Sequence, residues 1–138
     1  MLHSIVIYLI CLPVTLLLDY LWLAKLMQRF YLSELGPYAR VRGRTIKPVY
    51  WAAVIVYLLL PLGIVLFALP RVDPAHLIPS SLGWGALFGL VIYGVYDMTN
   101  MSTLERWPVR MVWVDIGWGC FLCAMTTTCA ALLEQWMR

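Results

Sequence analysis

Four long apolar runs alternate with short polar stretches along the 138 residues. They fall at about 4–26, 49–69, 82–100 and 108–133, and each is long enough to span roughly 30 Å of hydrocarbon, which takes about 20 helical residues. No run shows period-two alternation, and a backbone in lipid must satisfy its hydrogen bonds within its own segment, so the pattern predicts helices. The punctuation agrees. Pro48 and Pro108 suit helix starts, the Ser80–Ser81 pair suits an N-cap, Pro70 suits a stop, and Pro13 and Pro61 predict kinks. The links are short, which makes consecutive helices antiparallel neighbours. The expected fold is an all-α membrane protein, a compact antiparallel bundle of four transmembrane helices in one domain, 1–138. No Lys or Arg precedes the first run, which continues past any plausible cleavage point, so it is read as a span and not as a removable leader.

Charge adds an orientation. Lys25, Arg29, Arg40, Arg42, Arg44, Lys47, Arg106 and Arg110 lie at one end of the expected bundle, and Arg71 and Arg138 at the other. Such a bias predicts that the first and third connections face the cytoplasm and that both termini lie outside. Composition then excludes two classes. With 63% hydrophobic and 12% charged residues and a mean hydropathy of +0.84, no room is left for a large aqueous domain. The net charge of +3 comes from residues flanking apolar spans, not from a basic domain, so no nucleic-acid partner is expected.

Three aspartates interrupt the apolar runs. Asp19, Asp97 and Asp115 come from three different spans, and the orientation places all three in the cytoplasmic half. An aspartate at a helix centre costs up to about 3 kcal/mol, so such residues point inward and mark function by default. Asp19 precedes Trp22 by three, Asp115 precedes Trp118 by three, and Tyr93, Asp97 and Asn100 share one helix face. The expectation is a pocket on the cytoplasmic side, lined by Asp19, Trp22, Tyr93, Asp97, Thr99, Asn100, Asp115 and Trp118. Three carboxylates side by side in low dielectric need a proton, a bound cation held by Asp19, Asp97 and Asp115, or a folded-in base such as Lys25, Arg44 or Lys47. Arg40, Arg42 and Arg44 form a weaker candidate site for lipid headgroups. Gly85 with Gly89, and Gly117 with Ala124 and Ala131, predict close helix packing. Cys120 and Cys123 have redox spacing but lie mid-span and read as filler, and His3 and His76 fall at the far end.

The run Tyr96-Asp97-Met98-Thr99-Asn100, followed by Thr103, Trp107-Pro108, Val114-Asp115 and Trp118-Gly119, resembles a bacterial family of small membrane proteins catalogued as domain of unknown function 2177. Asp19 with Trp22, and Phe30-Tyr31 with Leu35-Gly36, extend the likeness over nearly the whole chain. The resemblance implies a bacterial inner membrane and four spans. It implies no activity and no cofactor. The leading reading of the residues is a protein that binds a lipid or other small amphipathic ligand, with lipid-modifying chemistry open to its carboxyls. A small proton-coupled transporter and an accessory subunit of a membrane complex are the alternatives.

Overall fold

The computed structural model describes residues 2–43 and 45–137. Four helical columns cross the molecule. The first is α1 (Leu2–Tyr20), which runs on through a wide π turn at Leu21–Leu26. A short helix, α2 (Gln28–Leu35), follows it outside the columns. The second column is α3 (Tyr50–Gly63), which continues through a π turn at Ile64–Ala68 and a 3-10 turn at Leu69–Arg71. The third and fourth are α4 (Leu77–Thr103) and α5 (Val109–Trp136). All four are long and apolar enough to cross a membrane. Their outer sides carry bare apolar residues such as Leu17, Leu59, Val91 and Trp113, as expected where hydrocarbon replaces water as solvent.

The bundle is not evenly packed. In α5, 56% of the most apolar stretch is buried, against 17% in the α1 and α4 columns. The fourth span is therefore the centre post. Near the chain ends, Ile7 and Cys11 of α1 meet Val65 and Leu69 of the α3 column and Ala130 and Ala131 of α5. Toward the other end, Leu60, Ile64 and Ala68 pack on Trp118, Leu122 and Cys123. Both termini and the 71–76 turn thus share one end, and the first and third connections share the other.

The α4–α5 seam rests on small residues. A Cβ on Gly85 would fall 2.6 Å from Ala124 Cα, and one on Gly89 would collide with the backbone of Gly119. The Gly85–Gly89 pair therefore does what its spacing predicts. Of the expected repeat, Ala124 and Ala131 are buried at packed positions and Gly117 is not. A Cβ there meets nothing within 4 Å, and it is Gly119 that lies under the Tyr93 ring.

The remaining differences lie in the first connection and at the start of the third column. The first connection forms α2, a 3-10 turn (Gly36–Tyr38) and a short hairpin of β1 (Val41–Arg42) and β2 (Thr45–Ile46). Ser80 and Ser81 do not cap a helix. The third column starts earlier, in a 3-10 turn (Pro74–His76) capped by Asp73, which accepts the Ala75 N–H at 2.9 Å. Ser81 lies inside α4, fully buried, and satisfies its hydroxyl on Ile78 O and Thr128 Oγ1, each at 3.0 Å. Aspartate and serine cap about equally well, but Asp73 comes first in the chain, and a serine inside a helix returns its proton to the preceding turn. Pro13 lies inside α1, and a wide turn follows at Leu21–Leu26, soon after Asp19.

Candidate functional site

Asp19 lies seven residues before the end of its column, Asp97 six before the end of α4, and Asp115 six after the start of α5. At 1.5 Å per residue each sits roughly 10 Å from the helix ends, so the three carboxyls occupy one layer. They do not form one cluster. The structure divides them into a single and a pair.

Asp19 is the single. It is 8% exposed and accepts two bonds, from Tyr57 Oη of α3 at 2.6 Å and from Trp118 Nε1 of α5 at 2.8 Å. One carboxylate from the first span therefore ties three columns together. Asp97 and Asp115 are the pair. Their carboxyls are near neighbours, one on α4 and the other on α5. Asp97 is fully buried and accepts from Trp107 Nε1 at 3.3 Å. Asp115 accepts a 2.6 Å bond from Tyr31 Oη of α2. Tyr31 Oη in turn accepts from Trp22 Nε1 at 3.3 Å.

The two halves meet through Trp22 and Trp118. Their rings stack with centroids 4.4 Å apart and planes 1° from parallel. The Asp-x-x-Trp spacing predicts that each tryptophan serves the aspartate on its own helix. The geometry crosses the partners instead. Trp118 reaches over to Asp19, and Trp22 reaches Tyr31, because stacking the indoles turns each N–H away from its own carboxyl.

The remaining expected residues fall as follows. Tyr93 is half-buried and packs its ring over Gly119, beside the Trp118 layer. Asn100 lies one turn beyond Asp97 with its side-chain nitrogen buried. Thr99 does not join them. It is exposed on the opposite face of α4, and its carbonyl accepts from Ser102 and Thr103. The expected cation site of Asp19, Asp97 and Asp115 is not assembled: among the described residues no group of three His, Cys, Asp or Glu is placed to hold a metal ion. No base folds in among the described residues either. Lys25 lies over the Tyr20 ring, Lys47 lines a groove by the hairpin, and the ion pairs present join Arg110 to Glu34 and His76 to Asp73. Arg44 lies outside the described residues. Arg40 and Arg42 lie on the hairpin, away from the aspartates. Cys120 and Cys123 are unbridged.

Three members of the layer carry only faint signals in the sequence. Tyr31 reads as an interfacial aromatic, and Trp107 as part of the family pattern. Tyr57 is hidden in the most apolar span, where a phenol at mid-span is the only available signal.

Burial and the neighbouring Asp115 raise the Tyr31 phenol above its ordinary value. A raised phenol holds its proton longer in the folded state than in the unfolded one, so folding binds protons above the usual value of about 10. The contribution of Tyr31 is therefore complete below about pH 10 and is lost as pH rises beyond it. In an alkaline melt, wild type should lose stability more steeply than Tyr31→Phe, although the variant starts lower by about 1 kcal/mol for its lost bond. Equal slopes above about pH 10 would contradict this placement of Tyr31.

The donors along this path set what it can do. An indole N–H donates and does not accept. Trp107, Trp118 and Trp22 therefore end their branches, and the stack between the halves conducts no proton. The arrangement is a fixed clamp around two buried carboxyls and a partly buried one.

Comparison with known proteins adds the family. No curated protein and no solved structure matches the chain. The family model described as a predicted membrane protein (DUF2177) matches residues 4–132, and this four-span chain, with its layer of three aspartates, belongs to that family.

Proposed function

We propose that this is a bacterial inner-membrane protein that binds the polar head of a lipid or other small amphipathic molecule beside the Asp97–Asp115 pair. The charge bias supports an orientation with the connections at this end in the cytoplasm and both termini outside. One observation carries the binding reading. Asp97 Oδ2 and Asn100 Nδ2 are both buried without a hydrogen-bond partner, one helical turn apart on α4. Buried polar atoms are rarely left unsatisfied, and those that are call for an explanation. A carboxylate oxygen and an amide N–H one helical turn apart suit a hydroxyl between them, which donates to the first and accepts from the second. Glycerol-based and other polyhydroxy headgroups carry that chemistry into the membrane.

The pair also gives the site acid–base capacity. One carboxyl can take the proton of a bound hydroxyl while its neighbour, braced by Tyr31, keeps the charge in place. Asp19 is a structural partner in this reading, because both its oxygens are already engaged. The proton-coupled transporter has less support, since the indole donors interrupt any proton path between Asp19 and the pair.

Purified protein carried into lipid nanodiscs and examined by native mass spectrometry tests the reading. Wild type should retain a bound amphipathic species. Asp97→Asn should weaken its retention by roughly tenfold or more, the worth of one hydrogen bond to a charged group. Asn100→Ala should weaken it several-fold, and Thr99→Ala, on the exposed face, should leave it unchanged. Retention unaltered in both of the first two variants would refute the site.

A further inference from the structure

A second site lies outside the aspartate layer, where the hairpin meets the start of α3. Arg40, Val41, Arg42, Lys47, Pro48, Val49 and Tyr50 enclose a groove of about 440 Å³. Three of its walls are cationic and none is acidic. The side chains of Arg40, Arg42 and Lys47 have no ion-pair partner among the described residues, where the pairs formed are those of Arg110 and His76. The hairpin holds the cations in place. Val41 pairs with Ile46, Arg42 with Thr45, and Lys47 N donates to Arg40 O at 2.7 Å. Gly43, with φ of 66°, makes the tight turn between the strands. Arg40 and Lys47 are thereby fixed at the open end of one small ladder.

The geometry points to a binding site for the phosphate of an anionic phospholipid headgroup, held between Arg40, Arg42 and Lys47. Arginine presents a planar fork that matches phosphate oxygens, and lysine adds a compact charge. The setting favours a lipid over a soluble anion. The groove opens at the first residues of a membrane span, and its apolar walls, Val41, Pro48 and Val49, suit the glycerol region next to a phosphate. Tyr50 and Trp51 stand 73% and 71% exposed beside it, at the depth where aromatic residues belong at the lipid–water boundary. Topology alone asks only for positive charge near this end. It does not ask for three cations arranged around a groove. The site shares no residue with the Asp97–Asp115 pair, so each stands or falls separately.

The test uses the purified full chain in nanodiscs of phosphatidylcholine, titrated with phosphatidylglycerol and read by native mass spectrometry. Wild type should bind phosphatidylglycerol, and binding should weaken as salt is raised. The triple variant Arg40→Gln, Arg42→Gln, Lys47→Gln should lose roughly tenfold or more in affinity. The double variant Arg40→Lys, Arg42→Lys keeps every charge and hence the topology signal. It should lose several-fold, because the planar forks are gone, and it decides the matter if the triple variant does not fold. Lys25→Gln, which removes a cation outside the groove, should bind phosphatidylglycerol as wild type does. Unchanged binding in the charge-neutral variant, or in the lysine variant where the former misfolds, overturns the site. Inorganic phosphate that displaces the lipid at equal concentration overturns the lipid assignment.

Discussion

Gly89→Val should separate the third and fourth spans and destabilise the bundle by about 3 kcal/mol or more, at or beyond the upper end of overpacking in a close-packed interior. The reason is what a side chain would meet. At Gly89 the collision is with the Gly119 carbonyl and with Cys120 N, which would lie 2.8 Å from a new Cβ. Both are backbone atoms within α5, so no rotamer change relieves the contact, and the helices must move apart. Moving them would also disturb the aspartate layer. Asp97 and Asp115 lie on opposite sides of this seam, and Tyr93 covers Gly119 across it. Gly94→Ala is the matched control on the same helix, because a Cβ there meets nothing within 4 Å. Unfolding in mixed micelles with increasing denaturing detergent measures both. Equal stability of the Gly89→Val and Gly94→Ala variants would show that the close approach is not needed.

Asp19→Leu should cost roughly 2 kcal/mol, although it removes an aspartate from a membrane span. Two opposing effects set the sign. Removing a buried carboxylate relieves its desolvation, but it strands Tyr57 Oη and Trp118 Nε1, whose bonds to it are 2.6 and 2.8 Å. Each stranded donor costs about 1–3 kcal/mol where no water can replace the acceptor. Interhelical bonds in membranes average roughly 0.6 kcal/mol in pairwise cycles, which argues for the lower part of that range. The Trp22–Trp118 stack also loses the anchor that holds Trp118 in register. A cycle of Asp19→Leu with Trp118→Phe isolates the bond. Strictly additive losses in the double variant would mean that the two side chains do not act together.

The crossed tryptophans mark a limit of what spacing can tell. A separation of three along a helix places Asp19 with Trp22, and Asp115 with Trp118, on shared faces. It cannot say which neighbouring helix a ring will lean toward, because that depends on the rotation of each helix about its own axis. The packed seam sets that rotation. Gly85 and Gly89 press α4 against α5, while Trp22 from the first column stacks on Trp118 of α5 and each N–H turns to another segment. Thr99 departs from expectation for a related reason. It stands two residues after Asp97, and two steps of about 100° each carry its side chain to the far face of α4.

Tyr57 shows a different limit. A phenol amid valines and leucines is apolar enough to sit in a span, and nothing around it marks its hydroxyl as a partner for Asp19, 38 residues away. Tyr31 is hidden in a similar way, because the first connection reads as a loop. Only its folding into α2 brings that hydroxyl back to Asp115.

Hydropathy, length and helical rise were enough to read four spans, the end of the bundle that carries the positive charge, and the common depth of the aspartates. Those properties are local and additive along a chain. The packed bundle alone divides the aspartates into Asp19 by itself and Asp97 with Asp115, crosses the tryptophans, and leaves Asp97 Oδ2 and Asn100 Nδ2 without partners. Those outcomes depend on how helices rotate and press together, and that is settled by close contacts between residues far apart in sequence.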